Sequence, residues 1–392
     1  MTQPPPSCAA PIARGIPGNE VPGICCHLLA RLLPLASSNF YWRRTFSLST
    51  VELGRSKAYS PTCCRQEVCF KKNTTLLSSL VNHAFPQYNI PMSSPERISV
   101  APIEGLKLQS GVYTRASENH KERNEDAYFS LTEKGVFGVF DAPSGRGMGE
   151  VASAMARTHI KMSMQELPEN PPEEEVKRKM REAFRGAHQR IIEEAKKDPD
   201  LRELATTATV VQILKGENGK RRAIIANAGD SRAYVLRKNG TLECITRDDS
   251  LINYDLLAEG KSEEEVKKYQ AQFSNYREES EMSIEEHANW LQVRDELTNG
   301  LGMSPRFTGE PNIYTVDLEE GDVLLLSTDG LHENLRDTER DGLTPSIADI
   351  LKEDIDSEPM ARALVQAAWE KGEKRNFRSK RDDITALIIK PK

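Results

Sequence analysis

Cysteine is scarce in most of this chain of 392 residues: of seven cysteines, Cys244 is the only one beyond position 69. A lone thiol forms neither a disulfide framework nor a cysteine-based zinc site, so both kinds of small scaffold are excluded for the main part of the chain. This distribution is typical of a protein of a reducing compartment, and we expect a cytoplasmic location.

Long hydrophobic runs are also missing. The longest, Ile24 to Ala36, is interrupted by His27, Arg31 and Pro34. A membrane-spanning helix needs about 20 predominantly apolar residues. We therefore expect no membrane-spanning helix and no membrane partner.

The chain after residue 97 carries no net positive charge. The net charge of the chain is −6, but residues 1–97 carry +6 and the remainder carries −12. An acidic main part argues against nucleic acid as a partner.

Residues 1–100 are basic and rich in proline and serine, without a helical or alternating period, and we predict a disordered leader. A second interpretation is an organellar transit segment, which would place the protein in an organelle, because the stretch contains arginine and serine but few acidic residues. A plain disordered tail or a misassigned start codon would give the same pattern.

After residue 100 the hydrophobic pattern predicts short strands and two pairs of helices. We expect the first three strands to form an antiparallel meander, a hairpin turn at Asn239–Gly240, and a charged, partly helical flap at 250–297. The predicted strands are 107–114, 126–132, 135–142, 206–214, 222–230, 232–237, 241–246, 312–318, 322–328 and 383–390. The predicted helices are 149–164, 172–197, 344–353 and 359–373. This order indicates an α+β domain over 101–392, with antiparallel sheets packed between helices.

Acidic residues stand at the ends of five of the apolar strands. They are Asp141, Asp230, Asp329, Asp382 and the pair Glu125–Asp126. Carboxylates placed in this way can converge at one rim of a sheet, and oxygen ligands are what Mg²⁺ and Mn²⁺ prefer. A single aspartate at such a position is ordinarily a turn or capping residue, so the prediction of a divalent-metal site depends on the whole set.

Seven segments occur in the order and rough spacing of the metal-dependent protein phosphatase 2C family. They are RNEDAYF, VFGVFDA, TTATVVQI, ANAGDSRAYV, LTNGLG, LLLSTDGLHENL and RDDITALII. The sequence resembles this family over about residues 105–390, and LTNGLG is more similar to its bacterial branch. The resemblance implies an antiparallel β-sandwich flanked by helix pairs. It also implies hydrolysis of phosphoserine and phosphothreonine by a centre of two Mn²⁺ or Mg²⁺ ions.

The resemblance also implies roles for the acidic residues. Asp141 would bridge both ions, and Asp329 and Asp382 would bind one of them directly. Glu125 and Asp126 would hold the other ion through water. The carbonyl of Ala142 would be a further metal ligand, and Asp230 matches the position of a third, weaker ion.

The chain departs from the family pattern at several of these positions. Where the family has Asp-Gly-His-Gly-Gly, this chain has Ala142 and Pro143 after Asp141, so the histidine proposed as general acid is missing. Lys121 stands at the position of a phosphate-binding arginine and keeps the charge without the bidentate fork, and Arg123 could substitute for it.

Further departures are Glu333, which replaces an aspartate and could displace the third ion, and Asp383, which replaces an asparagine after the last ligand. His120 and His332 are candidates to replace the lost acid, although a lone histidine is more often a surface or packing residue. Ser231 and Arg232 are expected to brace the turn at Asp230. Trp290 is expected to anchor the flap, and a contact with the substrate is the alternative.

The sequence thus predicts a monomeric protein serine/threonine phosphatase that acts on phosphoproteins, with Asp141, Asp329, Lys121 and Arg123 in catalytic roles. The alternative is a catalytically weak or silent phosphatase-like module that binds phosphoproteins or a signalling partner. Ala142, Pro143 and Glu333 motivate that alternative. The retained Asp141, Asp329 and Asp382 favour the enzyme, because carboxylates gathered without a cation repel one another.

Overall fold

Two antiparallel sheets of five strands each form the centre of the part of the chain that the structure describes. The computed structural model describes residues 106–143, 148–197, 201, 204–216, 220–275, 295–303, 308–338, 345–374 and 379–392. They all belong to one compact unit, 62–392. The predicted leader and Trp290 lie outside the described residues.

The strands are β1 (Leu108–Arg115), β2 (Ala127–Leu131), β3 (Val136–Phe140), β4 (Ala208–Lys215), β5 (Arg221–Ala228), β6 (Arg232–Leu236), β7 (Leu242–Cys244), β8 (Asn312–Leu318), β9 (Val323–Ser327) and β10 (Ile384–Pro391). The helices are α1 (Gly149–Gln165), α2 (Glu173–Ala195), α3 (Leu251–Ala258), α4 (Glu263–Ser274), α5 (Asp329–His332), α6 (Ile347–Leu351) and α7 (Ser357–Glu373). None of the described helices is long and apolar enough to cross a membrane.

The first sheet has the strand order β1-β10-β9-β6-β7, and the second has β2-β3-β4-β5-β8. The predicted hairpin at Asn239–Gly240 is confirmed, since β6 and β7 pair with Leu236 opposite Leu242. The predicted three-strand meander is wrong. β2 pairs with β3, but β1 pairs with β10 in the other sheet, because the segment between β1 and β2 crosses from one sheet to the other.

Three hydrophobic clusters separate the layers and confirm the sandwich with helices outside. Phe137 and Leu387 lie between the two sheets. Phe140, on the opposite face of β3, packs against α1 and α2, and Ile388 of β10 packs in the cluster that α6 and α7 cover. Central strands such as β3 are therefore buried on both faces, which explains their continuous apolar sequence.

Candidate metal centre

The predicted acidic residues lie where strands of both sheets end. Asp126 precedes β2 and Asp141 follows β3, and these two strand ends are paired in the second sheet. Asp329 follows β9 and Asp382 stands just before β10, and these ends are neighbours in the first sheet. The aspartates therefore share one side of the sandwich, here called the acidic rim.

The backbone of Asp141 is held by two threonines that precede β4. The Asp141 N–H donates to Thr207 Oγ1 at 3.0 Å, and its carbonyl accepts from the Thr207 N–H at 2.7 Å. The Thr206 hydroxyl donates to the same carbonyl at 3.0 Å. Because the backbone is fixed at both ends, the carboxylate of Asp141 extends from a rigid support.

Asp126 ties the two sheets together. Its Oδ2 accepts hydrogen bonds from the hydroxyls of Thr328 at 2.9 Å and Thr385 at 2.6 Å, which lie at the rim ends of β9 and β10. The Asp126 carboxylate is thereby oriented, and its other oxygen, Oδ1, has no partner.

Glu125 is positioned by Asp383, the residue that replaces an asparagine of the family pattern. Asp383 Oδ2 accepts from the Glu125 N–H at 2.5 Å, and its Oδ1 accepts from the Ser117 N–H at 2.6 Å. The departure at position 383 therefore has a structural use, because a carboxylate offers an acceptor to each of two backbone amides.

The rim carboxyls are buried and repel one another. Burial raises the pKa of Asp141 well above its ordinary value, and the neighbouring Asp329 and Asp126 raise it further. Burial also raises the pKa of Asp329 to about 6, although the ammonium of Lys380 opposes this shift. Such a cluster is stable only with bound protons or cations.

Several buried carboxylate oxygens of the rim have no hydrogen-bond partner. They are Glu125 Oε2, Asp126 Oδ1, Asp141 Oδ2, Glu150 Oε2, Asp329 Oδ1 and Glu333 Oε2. Among the described residues, no three histidine, cysteine, aspartate or glutamate side chains are grouped so that they could hold an ion as they stand. The donor set consists of oxygen alone, and unpartnered buried oxygens are costly unless a cation or water satisfies them. These residues therefore fit Mg²⁺ or Mn²⁺ and do not fit a thiolate-binding metal.

Asp230 lies on the turn between β5 and β6, on the flap side of the rim. Burial raises its pKa, and Asp329 adds to the effect. A cavity next to Asp230 is lined by Glu333 and by residues of α3 and α4, so the described part of the predicted flap borders the rim.

Ser231 braces the turn at Asp230 as expected, since its hydroxyl lies 2.7 Å from Thr207 Oγ1. The expectation for Arg232 is wrong. Its guanidinium is buried and pairs with Asp248 at 2.6 Å, and it donates to Ser274 at 2.8 Å at the end of α4. Arg232 thus anchors the flap, because its guanidinium joins the buried Asp248 carboxylate to the end of α4.

Ala142 is buried directly after Asp141, whereas Pro143 is exposed. The predicted phosphate-binding residues lie at the surface. Lys121 is paired with Glu118 and is 64% exposed, and Arg123 is 44% exposed and 3.9 Å from Glu150. The catalytic roles of Lys121 and Arg123 stay predictions.

The two candidate histidines differ in their surroundings. His120 is half-buried with Nδ1 3.0 Å from the Arg123 carbonyl and 3.6 Å from Asp383. Burial alone lowers the pKa of His120, but the Arg123 carbonyl and Asp383 raise it above its ordinary value. His332 is buried, with Nδ1 3.3 Å from Ser327 Oγ. His120 therefore lies on the side of Glu125, and His332 lies on the flap side.

Sequence reasoning missed the threonines that orient the rim. Thr206 and Thr207 stand in the TTATVVQI segment, and Thr328 and Thr385 each lie within three residues of an acidic candidate. Their position beside the aspartates at strand ends is the feature of the sequence that indicates such a role.

Comparison with known proteins agrees with this geometry. Residues 110–255 match the family model "Protein phosphatase 2C", and residues 267–392 match "Stage II sporulation protein E (SpoIIE)". The chain is 27% identical over 271 residues to the serine/threonine phosphatase stp of Listeria welshimeri, covering 69% of this chain and 90% of that protein. It is 27% identical over 289 residues to the protein phosphatase PhpP of Streptococcus pneumoniae, covering 72% of this chain and 96% of that protein.

Solved structures share the fold. The serine/threonine phosphatase Stp1 of Staphylococcus aureus superposes with a TM-score of 0.56 at 22% identity, covering 76% of this chain and 99% of that one. The catalytic domain of the phosphatase PstP in complex with two manganese ions superposes with a TM-score of 0.50 at 23% identity, covering 72% of this chain and 97% of that one.

The chain is similar to the protein phosphatase 2C family over residues 110–255, and its named relatives support a protein serine/threonine phosphatase. Within that family it is similar to the bacterial branch that the Listeria and Streptococcus relatives represent.

Proposed function

We propose that this protein hydrolyses phosphoserine and phosphothreonine in proteins and uses two Mn²⁺ or Mg²⁺ ions for the reaction. The observation that carries the proposal is the set of unpartnered, buried carboxylate oxygens that both sheets present at the acidic rim. The manganese-bound PstP structure, which has the same fold, supports it.

Different residues of the acidic rim would bind the two ions. Asp141 and Asp329 would contribute direct ligands, with Asp382 beside them, and Glu125 and Asp126 would complete the side nearest the second sheet. Two bound ions supply Lewis-acid polarisation of the phosphoryl group and lower the pKa of water.

The chain itself supplies orientation. Threonine hydroxyls and Asp383 hold the backbone of Asp141 and Glu125 and one carboxylate oxygen of Asp126, so these segments are fixed and only the side chains would move to enclose an ion. Hydrogen bonds that orient the segments carrying metal ligands are how a protein supports a metal site.

A third, weaker ion is proposed at Asp230. Burial and Asp329 raise the pKa of its carboxyl, and the unpartnered Oε2 of Glu333 borders the same cavity. Glu333 is one methylene longer than the aspartate of the family pattern, so the ion would lie in a slightly different place.

The proposal is tested by hydrolysis of an aryl phosphate and of a phosphoserine peptide by metal-free protein to which Mn²⁺ is returned. Activity should depend on added ion and should be abolished in Asp141→Asn and Asp329→Asn. Asp317→Asn is the matched control, because that carboxylate is exposed on β8 and pairs with Arg222 at 2.8 Å. Activity of metal-free protein, or full activity of both rim variants, would refute the metal assignment.

The silent phosphatase-like module is the second candidate, and the exposed Pro143 in place of the family's histidine favours it. The same experiment separates the two functions. A protein that binds Mn²⁺ at the rim but turns over neither substrate is a binding module.

A further inference from the structure

A lysine ammonium lies inside the acidic rim. Lys380 Nζ donates to Asp329 Oδ2, and it lies 3.4 Å from Asp382 Oδ2 and 3.4 Å from Asp295 Oδ1. Its side chain is only 17% exposed. The positive charge therefore stands between the two rim carboxylates of the first sheet.

The backbone of Lys380 is fixed to the segment that carries Asp329. The side chain of Asn334, just after α5, donates from Nδ2 to the Lys380 carbonyl at 2.8 Å and accepts from the Lys380 N–H at 3.0 Å. The same Nδ2 donates to the Gly330 carbonyl at 2.8 Å. A lysine on a free loop would sample many positions, but these three hydrogen bonds keep this one beside Asp329.

We infer that Lys380 is a built-in cation that occupies the Asp329–Asp382 position in the metal-free protein and competes there with the divalent ion. This inference rests on the proposed function for the existence of the ion. The carboxylate oxygen that binds the ammonium cannot at the same time give its full charge to a metal. An ion that enters between Asp329 and Asp382 therefore has to displace the ammonium.

The competition has two consequences of opposite sign. Without metal, Lys380 offsets the repulsion between Asp329 and Asp382, so it stabilises the folded protein. With metal, the ammonium is a like charge near the divalent ion and weakens its binding. Removing the charge should therefore lower the stability of the metal-free protein and tighten Mn²⁺ binding.

The test is Lys380→Met, which removes the ammonium and keeps an unbranched apolar side chain of nearly the same length. Isothermal titration with Mn²⁺ should show binding tighter by about tenfold or more, since the displaced charge lies within contact distance of two ligands. The melting temperature of the metal-free variant should be lower than that of the natural protein. Arg381→Met is the matched control, because it also removes one positive charge but from an exposed side chain paired with Glu373 at 3.1 Å.

The outcomes are distinguishable. Equal or weaker Mn²⁺ binding in Lys380→Met than in the natural protein would overturn the competition and leave the metal centre in place. Absence of Mn²⁺ binding in the natural protein and in both variants would overturn the proposed metal centre and the competition with it. Binding by Lys380→Met alone would support the competition strongly.

A measurement on the natural protein does not depend on how the variant folds. Reductive methylation followed by peptide mass mapping reports the reactivity of each lysine amine. Lys380 should be methylated slowly in the metal-free protein, where carboxylates shield its ammonium, and faster once Mg²⁺ has displaced it. Equal or slower methylation in the presence of Mg²⁺ would show that the ammonium stays in place and would overturn the inference.

Discussion

A Cβ atom on Gly330 would overlap the backbone carbonyl oxygen of Asp383. Gly330 directly follows Asp329, and Asp383 directly follows Asp382. The bare backbone at position 330 thus lets the two carboxylate-bearing segments of the first sheet lie against each other.

Gly330→Ala should therefore damage both stability and metal binding. We expect a loss of about 1–3 kcal/mol in the free energy of unfolding, which is typical when an added methyl group meets packed backbone. Because the clash moves Asp329 away from Asp382, Mn²⁺ binding measured by calorimetry should weaken several-fold.

Gly260→Ala is the control for the loss of stability. Gly260 has a φ of +90°, and a methyl group added there would meet no other atom within 4 Å, so alanine strains the backbone without touching the rim. Unfolding should become easier while Mn²⁺ affinity stays unchanged. If Gly330→Ala also lowered the stability without changing the Mn²⁺ affinity, the close contact of Gly330 with Asp383 would contribute to packing and not to metal binding.

Asp383→Asn should loosen the support of Glu125. The amide group of asparagine keeps one acceptor, so one of the two backbone amides that Asp383 satisfies loses its partner. We expect a loss of about 1–3 kcal/mol in stability, the usual cost of an unsatisfied buried donor. The Mn²⁺ concentration needed for half-maximal activity should rise.

Asp322→Asn is the matched control for Asp383→Asn. Asp322 also binds two backbone amides, those of Lys238 at 3.0 Å and Glu319 at 3.1 Å, but it precedes β9 at the end opposite to the rim. Denaturant unfolding should show a similar loss, with no change in the Mn²⁺ requirement. An unchanged requirement in Asp383→Asn would mean that a single acceptor is sufficient to place Glu125.

The stability of the metal-free protein should fall as the pH rises from about 4 through about 6. Asp329 has a folded-state pKa of about 6 against an ordinary value of 3.8, so its contribution is fully present below about pH 4 and is lost above about pH 6. Burial shifts the pKa of Asp126 and Asp141 in the same direction. The loss due to Asp329 is on the order of 2–3 kcal/mol.

Thermal unfolding at pH 5 and pH 7, with chelator and with Mn²⁺, measures this effect. Bound ions replace the protons, so Mn²⁺ should reduce the difference between the two pH values, and Asp329→Asn should reduce it without metal. A metal-free protein that melts at the same temperature at both pH values would show that burial does not destabilise the charged form of the rim carboxyls.

Pro143→His should restore a proton donor at the position where the family has one. A serine alkoxide needs a proton as the ester bond breaks, whereas a nitrophenolate hardly does, and general acids contribute about 10²- to 10⁴-fold. Turnover of a phosphoserine peptide should therefore rise by a larger factor than turnover of an aryl phosphate at saturating Mn²⁺. Equal gains would indicate an effect on the loop, and no gain would show that another donor such as His120 already serves.

The sequence was most informative where strands are buried on both faces. β9 and β10 were predicted within one residue at each end, because their apolar runs are continuous and are bordered by aspartates. The pattern predicts β1 beside β2, whereas β1 pairs with β10. All residues of β1 are half-buried, so its hydrophobic pattern does not indicate which strand lies beside it.

The acidic ligands could be predicted because each stands at the end of such a strand, but the residues that hold them could not. Lys380 lies in a charged run without hydrophobic periodicity, and its position depends on Asn334, 46 residues away along the chain. Likewise, Arg232 of β6 pairs with Asp248 and donates to Ser274 at the end of α4, and the hydrophobic pattern of the sequence indicates neither contact.

The pairing of β1 with β10 has a consequence for how the protein is made. The second sheet is complete once residue 318 has been synthesised, so Asp126 and Asp141 can take their places while translation continues. Asp382 stands just before β10, and the first sheet cannot close until β10 is available, because β1 pairs with it. The two halves of the acidic rim therefore meet only after β10 has been synthesised, later than the second sheet alone would require.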